Sequence, residues 1–365
     1  MIQCFFSPFL FLPSKREMAC SRYNAACAPE LPSGFKFLAL LGEGCFGKVV
    51  KCWHTGSGQT VAVKIPKCAE ESTRNEISIL RTIKSLNLDK HNIVKYIDCF
   101  LTSAGEAFVF ESLDISLHDY WKKRDCAPML LSDIRTIIQQ MATAFKALKE
   151  IELIHTDVKL DNIMMVNHRR RPFEVKLIDF GLAISRSDAR QGLTVQPRIL
   201  RSPEVLLGAE FSEAIDMWTL GCAMFQMISG CLLFLGQSSY EIMLSIVELL
   251  GQPADDDLDN GQYTRNFFNR NGEVWRIKTP SEYFGDCRTR PRKSHQFKSL
   301  DEMKKMRLEK DNKNEIEERE QCIELLKAML RVDAKERITP RGVLAHPFIT
   351  NGSLASASMT KRSKA

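Results

Sequence analysis

The chain has 365 residues, 44% of them hydrophobic and 26% charged, which is typical of a globular protein and argues against a disordered, collagen-like or membrane-embedded chain. A net charge of +6 is small for this length, so direct binding to nucleic acid or to a membrane surface is not favoured. The 12 cysteines are scattered and include no CxxC pair, which argues against a zinc site and favours a reducing compartment.

The N-terminal residues 1–34 are predicted to form a disordered leader outside the fold, because they lack sustained periodicity and contain several prolines. The opening MIQCFFSPFLFLP has the length of a signal peptide but no basic residue ahead of its apolar run, which Pro8 interrupts. No later stretch approaches the ~20 apolar residues of a membrane helix. We therefore predict that the fold begins at Phe35.

The first part of the fold is predicted to be a small antiparallel sheet. The segments FKFLALLGEGCFGKVVKCW and QTVAVKI alternate apolar and β-branched residues around glycine-containing turns, as β-hairpins do. The stretch 73–86 then has a helical period that places Glu76 on the same face as four apolar residues. A carboxylate is therefore expected within the apolar stripe of this helix.

The remainder of the chain is predicted to be mainly helical. Apolar residues recur at helical spacing over 134–148, and 215–228 is apolar nearly all round, which predicts a buried helix. The segment 303–320 carries charges of both signs and is predicted to be a solvated insert or an exposed helix. The small, polar residues 350–365 are predicted to form a disordered tail.

A glycine-rich loop suggests a phosphate-binding site near the start of the fold. The segment GEGCFGKV supplies Gly42, Gly44 and Gly47, which let backbone amides approach phosphate oxygens. In dinucleotide-binding folds such a loop opens a helix, whereas here the strand-like KVVKCW follows. Lys64 lies in the next apolar strand, where the carboxylate of Glu76 could hold it against the α- and β-phosphates.

A second group of polar residues follows the helix predicted over 134–148. In HTDVKLDN, Asp157 and Lys159 are assigned to catalysis, and Asn162 stands five residues after the aspartate. This spacing suits a base that orients an attacking hydroxyl and an amide that holds Mg²⁺. Asp179, in Asp-Phe-Gly, adds a carboxylate that suits the same ion. His155 is predicted to be a packing residue.

Together these residues resemble the protein-kinase signature set: glycine loop, strand lysine, helix glutamate, catalytic loop, DFG, and SPE in place of APE. The resemblance covers 35–349. The segments LGEGCFGKVVKCW, FSEAIDMWTLGC, TRNFFNRNGEVWRIKTP and ELLKAMLRVDAKERITP resemble the homeodomain-interacting protein kinases. The family implies a two-lobed α+β fold, with an antiparallel β-rich N-lobe over 35–112 and a larger α-helical C-lobe over 113–349.

The resemblance also implies that ATP and Mg²⁺ are bound. Phe110 would stand behind the adenine ring, and the backbone groups of Glu111 and Leu113 would hydrogen-bond its edge. The other implied nucleotide-binding residues are Leu41, Gly42, Glu43, Gly44, Cys45, Phe46, Gly47, Val49, Ala62, Lys64 and Met164. Asn162 and Asp179 would hold the metal.

Three further assignments implied by the resemblance are structural. Asp216, a carboxylate in an apolar helix, would brace the catalytic loop through its backbone amides, which would account for a charge at a buried position. Glu204 of the SPE motif would form an ion pair with Arg337 of KERITP.

The chain departs from the family pattern at several positions. Thr156 stands where many kinases have an arginine that meets a phosphorylated activation segment, and Leu160 replaces the proline of the usual KPEN. Relatives carry tyrosine at the positions of Thr194, Ile199 and Leu200. Their activating phosphotyrosine therefore cannot form here.

Two arrangements of the activation segment LTVQPRILRSPE stay open on the sequence alone. Phosphorylated Thr194 could engage Arg198 and Arg201. Alternatively, the segment could pack through its apolar residues without a phosphate. In relatives, the arginine before the terminal motif satisfies a backbone group so that proline fits after the target residue, and Arg201 has this position.

The sequence therefore predicts a serine/threonine kinase that is proline-directed and acts on protein substrates, among them transcription regulators. We expect a monomer in the nucleus or the cytoplasm. Two alternatives remain. The altered activation segment and Leu160 would also suit a pseudokinase scaffold. A nucleotide-binding oxidoreductase would require a helix directly after Gly47.

Overall fold

The computed structural model describes residues 31–44, 47–67, 71–285, 297–306, 309 and 314–351. Most of the predicted leader and of the predicted tail, together with Cys45 and Phe46 of the glycine loop, lies outside the described residues.

The described chain divides into two compact units. The first contains 31–67 and Asp98–Phe110, and the second contains 71–97 and 111–351. The helix that carries Glu76 thus belongs to the second unit, although the sequence-based boundary placed it in the N-lobe. The predicted lobe boundaries remain a prediction.

A five-stranded sheet with strand order β1-β2-β3-β5-β4 accounts for most of the first unit. Its strands are β1 (Phe35–Glu43), β2 (Gly47–His54), β3 (Gln59–Pro66), β4 (Tyr96–Thr102) and β5 (Gly105–Glu111). The first three pair as antiparallel neighbours, which confirms the predicted hairpins. Buried residues alternate along β2 and β3, so one face of this ribbon forms the core of the unit.

Gly47 at the start of β2 illustrates why the loop needs glycine. Its φ is 155°, and a Cβ atom at this position would lie 2.2 Å from the carbonyl oxygen of Ile65. Any side chain would therefore displace β3 from its pairing with β2.

The second unit is predominantly helical. Its helices are α1 (Glu71–Ser85), α2 (Leu117–Lys122), α3 (Leu131–Glu150), α4 (Pro203–Leu207), α5 (Ala214–Ser229), α6 (Ser239–Leu250), α7 (Asp255–Asn260), α8 (Thr264–Phe267), α9 (Pro280–Phe284), α10 (Glu315–Met329) and α11 (Pro340–Ala345). Short strands lie between them: β6 (Ile115–Ser116), β7 (Leu153–Ile154), β8 (Ile163–Asn167), β9 (Arg171–Leu177), β10 (Ile184–Ser185), β11 (Phe268–Asn271) and β12 (Val274–Ile277). The predicted combination of an antiparallel sheet and a larger helical part is confirmed.

Helix α5 forms the centre of the second unit, as its all-round apolar sequence predicts. Every residue over 215–228 is buried, including the carboxylate of Asp216. Trp218 stacks on Phe234 with ring centroids 5.7 Å apart. The helix ends at Gly230, whose φ of 71° suits a glycine.

The prediction that 303–320 is solvated is wrong for its C-terminal part. Glu315 and Arg319, in the first turns of α10, are 0% and 2% exposed and form an ion pair with an N–O distance of 2.6 Å. Residues four positions apart share one helix face, so the two charges compensate each other and can be buried together. Charge patterning alone does not reveal which charged residues are paired.

The described cysteines are free thiols. Burial raises the pKa of Cys52 to about 11 and that of Cys322 to about 12, so both remain protonated at neutral pH.

Among the helices of the described ranges, none combines the length and the apolar character needed to cross a bilayer.

Candidate active site

The loop between β7 and β8 places the side chain of Asp157 in a fixed orientation. The Lys159 Nζ atom donates a hydrogen bond to Asp157 Oδ2 at 2.7 Å, and Asn162 Nδ2 donates to the same oxygen at 2.8 Å. Asn162 Nδ2 also donates to the main-chain oxygen of Asp157 at 2.8 Å. Because these bonds converge on Oδ2, they orient the carboxylate without using Oδ1.

The same bonds orient the amide of Asn162. Both hydrogens of its nitrogen are directed to Asp157, which leaves the amide oxygen unused by these bonds. An amide oxygen is a hard ligand that suits Mg²⁺. The backbone oxygen of Asn162 accepts from Ile178 N at 2.9 Å, so the segment preceding Asp179 is tied to this residue.

The carboxylate of Asp216 holds the backbone of the catalytic loop, which is the segment between β7 and β8. Its two carboxylate oxygens accept hydrogen bonds from the backbone nitrogens of His155 at 2.7 Å and of Thr156 at 2.9 Å. Burial raises the pKa of Asp216 to about 7, while the two N–H donors favour the charged form and act in the opposite direction. The apolar helix α5 therefore carries a carboxylate because two buried amides need an acceptor.

His155 has a structural position. It is fully buried, its Nδ1 accepts from the backbone nitrogen of Asp157 at 3.3 Å, and its Nε2 donates to the carbonyl oxygen of Ile178 at 3.0 Å. Burial lowers the pKa of His155, so the ring remains neutral. The ring also packs edge-to-face against Phe180, with centroids 5.1 Å apart. His155 thus links the catalytic loop to the Asp-Phe-Gly segment.

Thr156 and Asp179 have left-handed backbone conformations, with φ values of 65° and 64°. Such values are uncommon for residues other than glycine and occur where surrounding contacts enforce them. The hydroxyl of Thr156 donates to the carbonyl oxygen of Leu182 at 2.7 Å, and Gly181 N donates to Asp179 Oδ1 at 3.4 Å. The threonine that replaces the usual arginine therefore contacts the start of the activation segment through an uncharged bond.

The residues assigned to the nucleotide are distributed over both units. Gly42, Gly44, Lys64 and Phe110 belong to the first unit, and Lys64 pairs with Val49 across β2 and β3. The other assigned residues of the first unit are Leu41, Glu43, Gly47 and Ala62, and those of the second are Glu76, Glu111, Leu113 and Met164. Glu76 is 5% exposed. Their roles at the nucleotide remain predictions.

Glu111 begins the segment assigned to the adenine edge. Its backbone nitrogen donates to the carbonyl oxygen of Lys95 at 3.1 Å. Its carboxylate accepts from Lys95 N at 2.7 Å and from Lys176 Nζ at 2.5 Å. These bonds use the backbone N–H and the side chain of Glu111. Its backbone carbonyl oxygen is therefore the group that could accept a hydrogen bond from the adenine edge.

The comparison with known protein families agrees with this geometry. Residues 35–349 match the family model described as protein kinase domain. The chain belongs to the protein kinase family. In this kinase domain the chain forms strand β2 from Gly47 onward, where a dinucleotide-binding oxidoreductase would have a helix, and that alternative is excluded.

Similar curated proteins are homeodomain-interacting protein kinases, which confirms the resemblance seen in the sequence. The chain is 37% identical over 350 residues to homeodomain-interacting protein kinase 2 of Mesocricetus auratus and 38% identical over 350 residues to homeodomain-interacting protein kinase 1 of Mus musculus. These matches cover 92% of this chain and only 29% and 28% of the relatives.

Homeodomain-interacting protein kinase 4 of Mus musculus is 34% identical over 345 residues, which is 88% of this chain and 56% of that protein. The chain therefore spans less than a third of the length of the first two relatives and about half of the third.

The SPE motif of the kinase domain is anchored by a bidentate ion pair. Arg337 donates to the two carboxylate oxygens of Glu204 at 2.7 and 3.0 Å. The same guanidinium donates to the backbone oxygens of Ala214, Arg331 and Val332, and lies over the ring of Trp218. All its donors are used, so the buried charge is compensated.

In the activation segment of the kinase domain, Arg201 contacts the backbone. Its Nε donates to the carbonyl oxygen of Val195 at 2.9 Å, and its NH2 group donates to that of Gln196 at 2.9 Å. Thr194 and Arg198 are exposed.

Gln196 was missed by sequence reasoning although it is buried with φ of 66°. No sequence signal marked it, because Gln196 belongs to none of the motifs and its burial depends on contacts with other parts of the chain.

Proposed function

We propose that this chain is an active protein kinase that transfers the γ-phosphate of Mg-ATP to serine and threonine hydroxyls of proteins. The observation that carries the proposal is the arrangement at Asp157, whose carboxylate is oriented by Lys159 and Asn162 on one oxygen only. A base for phosphoryl transfer needs an oriented acceptor for the hydroxyl proton, and Asp157 Oδ1 suits this role.

In the reaction, the acceptor hydroxyl hydrogen-bonds to Asp157, and its oxygen attacks the γ-phosphorus while the bond between phosphorus and the ADP oxygen breaks. The hydroxyl proton passes to the Asp157 carboxylate. Lys159, an ammonium group 2.7 Å from Asp157 Oδ2, adds positive charge next to the phosphoryl group as it is transferred. Positioning and electrostatics provide most of the catalysis in this reaction class.

The donor set fits Mg²⁺. The amide oxygen of Asn162 and the carboxylate of Asp179 would hold the ion, because Mg²⁺ prefers hard oxygen ligands. When bound, the ion neutralises negative charge on the phosphates. Lys64, with Glu76 as its counter-charge, is proposed to contact the α- and β-phosphates as in the family.

We further propose that sites followed by proline are preferred. The carbonyl oxygen of Val195 accepts from Arg201 and is therefore engaged within the chain. A non-proline residue after the target serine or threonine would bring an N–H group to this surface without an acceptor, at a cost of about 1–3 kcal/mol. Proline lacks that N–H group and avoids the cost.

The names of the relatives supply a candidate class of substrate. They are homeodomain-interacting kinases, so transcription regulators of the homeodomain type are proposed as substrates, with the nucleus as the place of action. Because the chain spans only part of these relatives, this proposal rests on their names and on the similarity of the kinase domain.

The alternative of a pseudokinase scaffold has no support in the site. Thr156 is accommodated by its bond to Leu182 O, and Leu160 is 2% exposed, so both departures from the family pattern are packed into the loop. Asp157, Asn162 and Asp179 are all present. The carboxylate of Asp157 is only 6% exposed, and keeping such a charge buried is costly unless it is used.

Substitution of Asp157 tests the proposed reaction. We expect Asp157→Asn to lower phosphotransfer about 10²–10⁴-fold, because the amide cannot accept the hydroxyl proton. Nucleotide affinity, measured by calorimetry with Mg-ATP, should change less than about threefold, since Asp157 is assigned to the acceptor and not to the nucleotide.

Asp188→Asn is the matched control, because Asp188 is an exposed aspartate in a turn of the same unit. Its activity should equal that of the wild type. Near-normal turnover in Asp157→Asn, or loss of nucleotide binding together with activity, would contradict the assigned role.

A further inference from the structure

One threonine outside the active site has the surroundings of a kinase substrate. Within the described residues, a serine or threonine precedes proline at 202–203, 279–280 and 339–340. The first pair is buried, and so is the proline of the last pair. Thr279 is exposed, and Pro280 is only partly buried. Of these three pairs, 279–280 is therefore the one that presents both of its residues to another molecule.

The backbone around Thr279 is extended before the threonine and weakly held after it. Thr279 has φ of −68° and ψ of 158°, and it follows β12, which pairs with β11 and is anchored by the buried side chain of Trp275. Helix α9 begins after Thr279, has five residues and buries none of them. An element with so few buried groups opens at low cost, whereas β12 keeps Thr279 in its place within its own fold.

The hydroxyl of Thr279 belongs to a capping box formed with Glu282. Thr279 Oγ1 and Thr279 N donate to Glu282 Oε2 at 3.0 and 2.7 Å, and Glu282 N donates to Thr279 Oγ1 at 3.3 Å. Arg276 donates to both oxygens of the same carboxylate, at 2.7 Å to Oε2. The carboxylate of Glu282 therefore joins the start of α9 to β12.

Aromatic side chains complete the attachment of α9. Tyr283 stacks on Tyr240 of α6 with ring centroids 4.1 Å apart, and Phe284 packs edge-on against Tyr240 at 5.7 Å. The hydroxyl of Tyr240 donates to the backbone oxygen of Lys278 at 2.6 Å. Tyr283 and Phe284 remain 36% and 41% exposed, so α9 depends on these ring contacts together with the capping box.

A phosphate on Thr279 would conflict with the capping box. It would remove the hydroxyl hydrogen that Glu282 accepts, and it would place a charge of about −1.5 to −2 beside the Glu282 carboxylate. The two anions repel each other, and both compete for the guanidinium of Arg276. Because the phosphate carries more charge and also accepts bidentate bonds from arginine, Arg276 is expected to move to it and to leave Glu282.

We propose that Thr279 is a phosphorylation site for a second copy of this chain, and that the phosphate releases α9 from α6. The proposal rests on the proposed function and its preference for proline. The γ-phosphorus of ATP bonds to Thr279 Oγ1, its bond to the ADP oxygen breaks, and the hydroxyl proton passes to Asp157 of the second copy. Release of α9 uncovers Tyr240, Tyr283 and Phe284.

The first test measures transfer between copies. The whole chain with Asp157→Asn is the substrate, a trace of wild-type chain and Mg-ATP are added, and phosphorylated residues are located by mass spectrometry. We expect phosphate on Thr279 to exceed that on Thr339 at least about tenfold, because the proline after Thr339 is buried. In wild-type chain alone, the rate per molecule should rise with protein concentration.

A matched substrate keeps the threonine and changes only the next residue. Pro280→Ala, in the same Asp157→Asn chain, retains Thr279 and Glu282 and therefore the capping box. Its alanine brings back the N–H group that proline lacks, so phosphate on Thr279 should fall about tenfold. The variant tests recognition of the site without removing the acceptor hydroxyl.

The second test measures release of α9. Chymotrypsin cleaves after tyrosine and phenylalanine, and its cleavage after Tyr283 and Phe284 should be about fivefold or more faster in the phosphorylated chain than in the same chain after phosphatase. Pro280→Ala incubated with wild-type chain and ATP is the control for phosphates elsewhere. Its cleavage at these two residues should stay within about twofold of the untreated rate.

The outcomes are distinct. Phosphate on other residues but not on Thr279 overturns the assigned site and leaves the proposed function in place. Phosphate on Thr279 with unchanged chymotrypsin cleavage overturns the release of α9. A rate per wild-type molecule that is independent of concentration, with no phosphate on the Asp157→Asn chain, overturns transfer between copies. Absence of phosphotransfer both to this chain and to a general substrate such as myelin basic protein overturns the proposed function itself.

Discussion

At the scale of single residues, two aspartates show how environment decides the cost of a buried carboxylate. Asp216 is buried in α5 and accepts from two backbone N–H groups, which repay part of the loss of hydration. Asp133, in the first turn of α3, is partly buried, and burial raises its pKa to about 6. Arg124 opposes this shift, and Glu309 reinforces it.

Asp133 predicts a pH dependence of stability. Its pKa in the folded state, about 6, lies above the ordinary value of 3.8, so its protonated form favours folding. This contribution is present below about pH 3.8 and is lost as the pH rises through about 6. We expect Asp133→Asn to raise the free energy of unfolding at pH 7 by about 1–2 kcal/mol, after allowance for partial exposure.

The measurement is urea unfolding between pH 4 and 7.5, in which the gain from Asp133→Asn should shrink toward pH 4. Asp256→Asn, an exposed first-turn aspartate of α7, is the control and should show no such trend. A gain that is independent of pH, or a loss of stability at pH 7, would contradict the predicted effect of burial.

At the scale of elements, the activation segment is held by contacts that need no phosphate. Arg201 donates to two backbone carbonyls, Val195 packs into an apolar cluster, and the Gln196 amide is anchored to α5. Arg201 already donates to two backbone carbonyls, so a phosphate on Thr194 would have to compete with them for this side chain. These contacts favour the unphosphorylated arrangement of the two left open by the sequence.

We therefore expect Thr194→Ala to retain phosphotransfer within about threefold of the wild type, because the hydroxyl is exposed and the segment is anchored on either side of Arg198. Both proteins are treated with phosphatase, checked by mass spectrometry and assayed together, with Thr194→Tyr as a third sample. Loss of activity in both dephosphorylated wild type and Thr194→Ala would instead make Thr194 an activating phosphorylation site.

At the scale of the whole molecule, the pair of Glu204 and Arg337 joins parts of the chain that are 133 residues apart. The arginine side chain is 0% exposed, so its removal would leave the glutamate buried without its counter-charge. We expect Arg337→Met to lower the free energy of unfolding by about 3–5 kcal/mol. Denaturant unfolding followed by far-UV circular dichroism measures this loss.

Two variants complete that experiment. Glu204→Gln combined with Arg337→Met removes the unpaired charge and should recover part of the loss. Arg331→Met is the control, since this side chain is exposed and only its backbone oxygen contacts Arg337. A change of less than about 1 kcal/mol in Arg337→Met would show that the pair stabilises little.

The sequence by itself determined the fold class and the position of each signature residue. Alternation of apolar residues predicted β1 to β3, the all-round apolar run predicted α5, and the fixed spacing of Asp157, Asn162 and Asp179 indicated the chemistry. These features are readable because periodicity and motif spacing are local properties of the chain. The roles at the nucleotide were likewise assigned from motif order, and they remain predictions.

Only the tertiary structure decided the polar contacts of residues that belong to no motif. Glu315 and Arg319 look like solvated charges in sequence, yet they are buried as a pair. Gln196 belongs to no motif, and its network with Ser202 and Thr219 arises because α5 passes beside the activation segment. Hydrogen bonds and ion pairs between residues far apart in the chain depend on distances of a few ångströms, which no sequence period encodes.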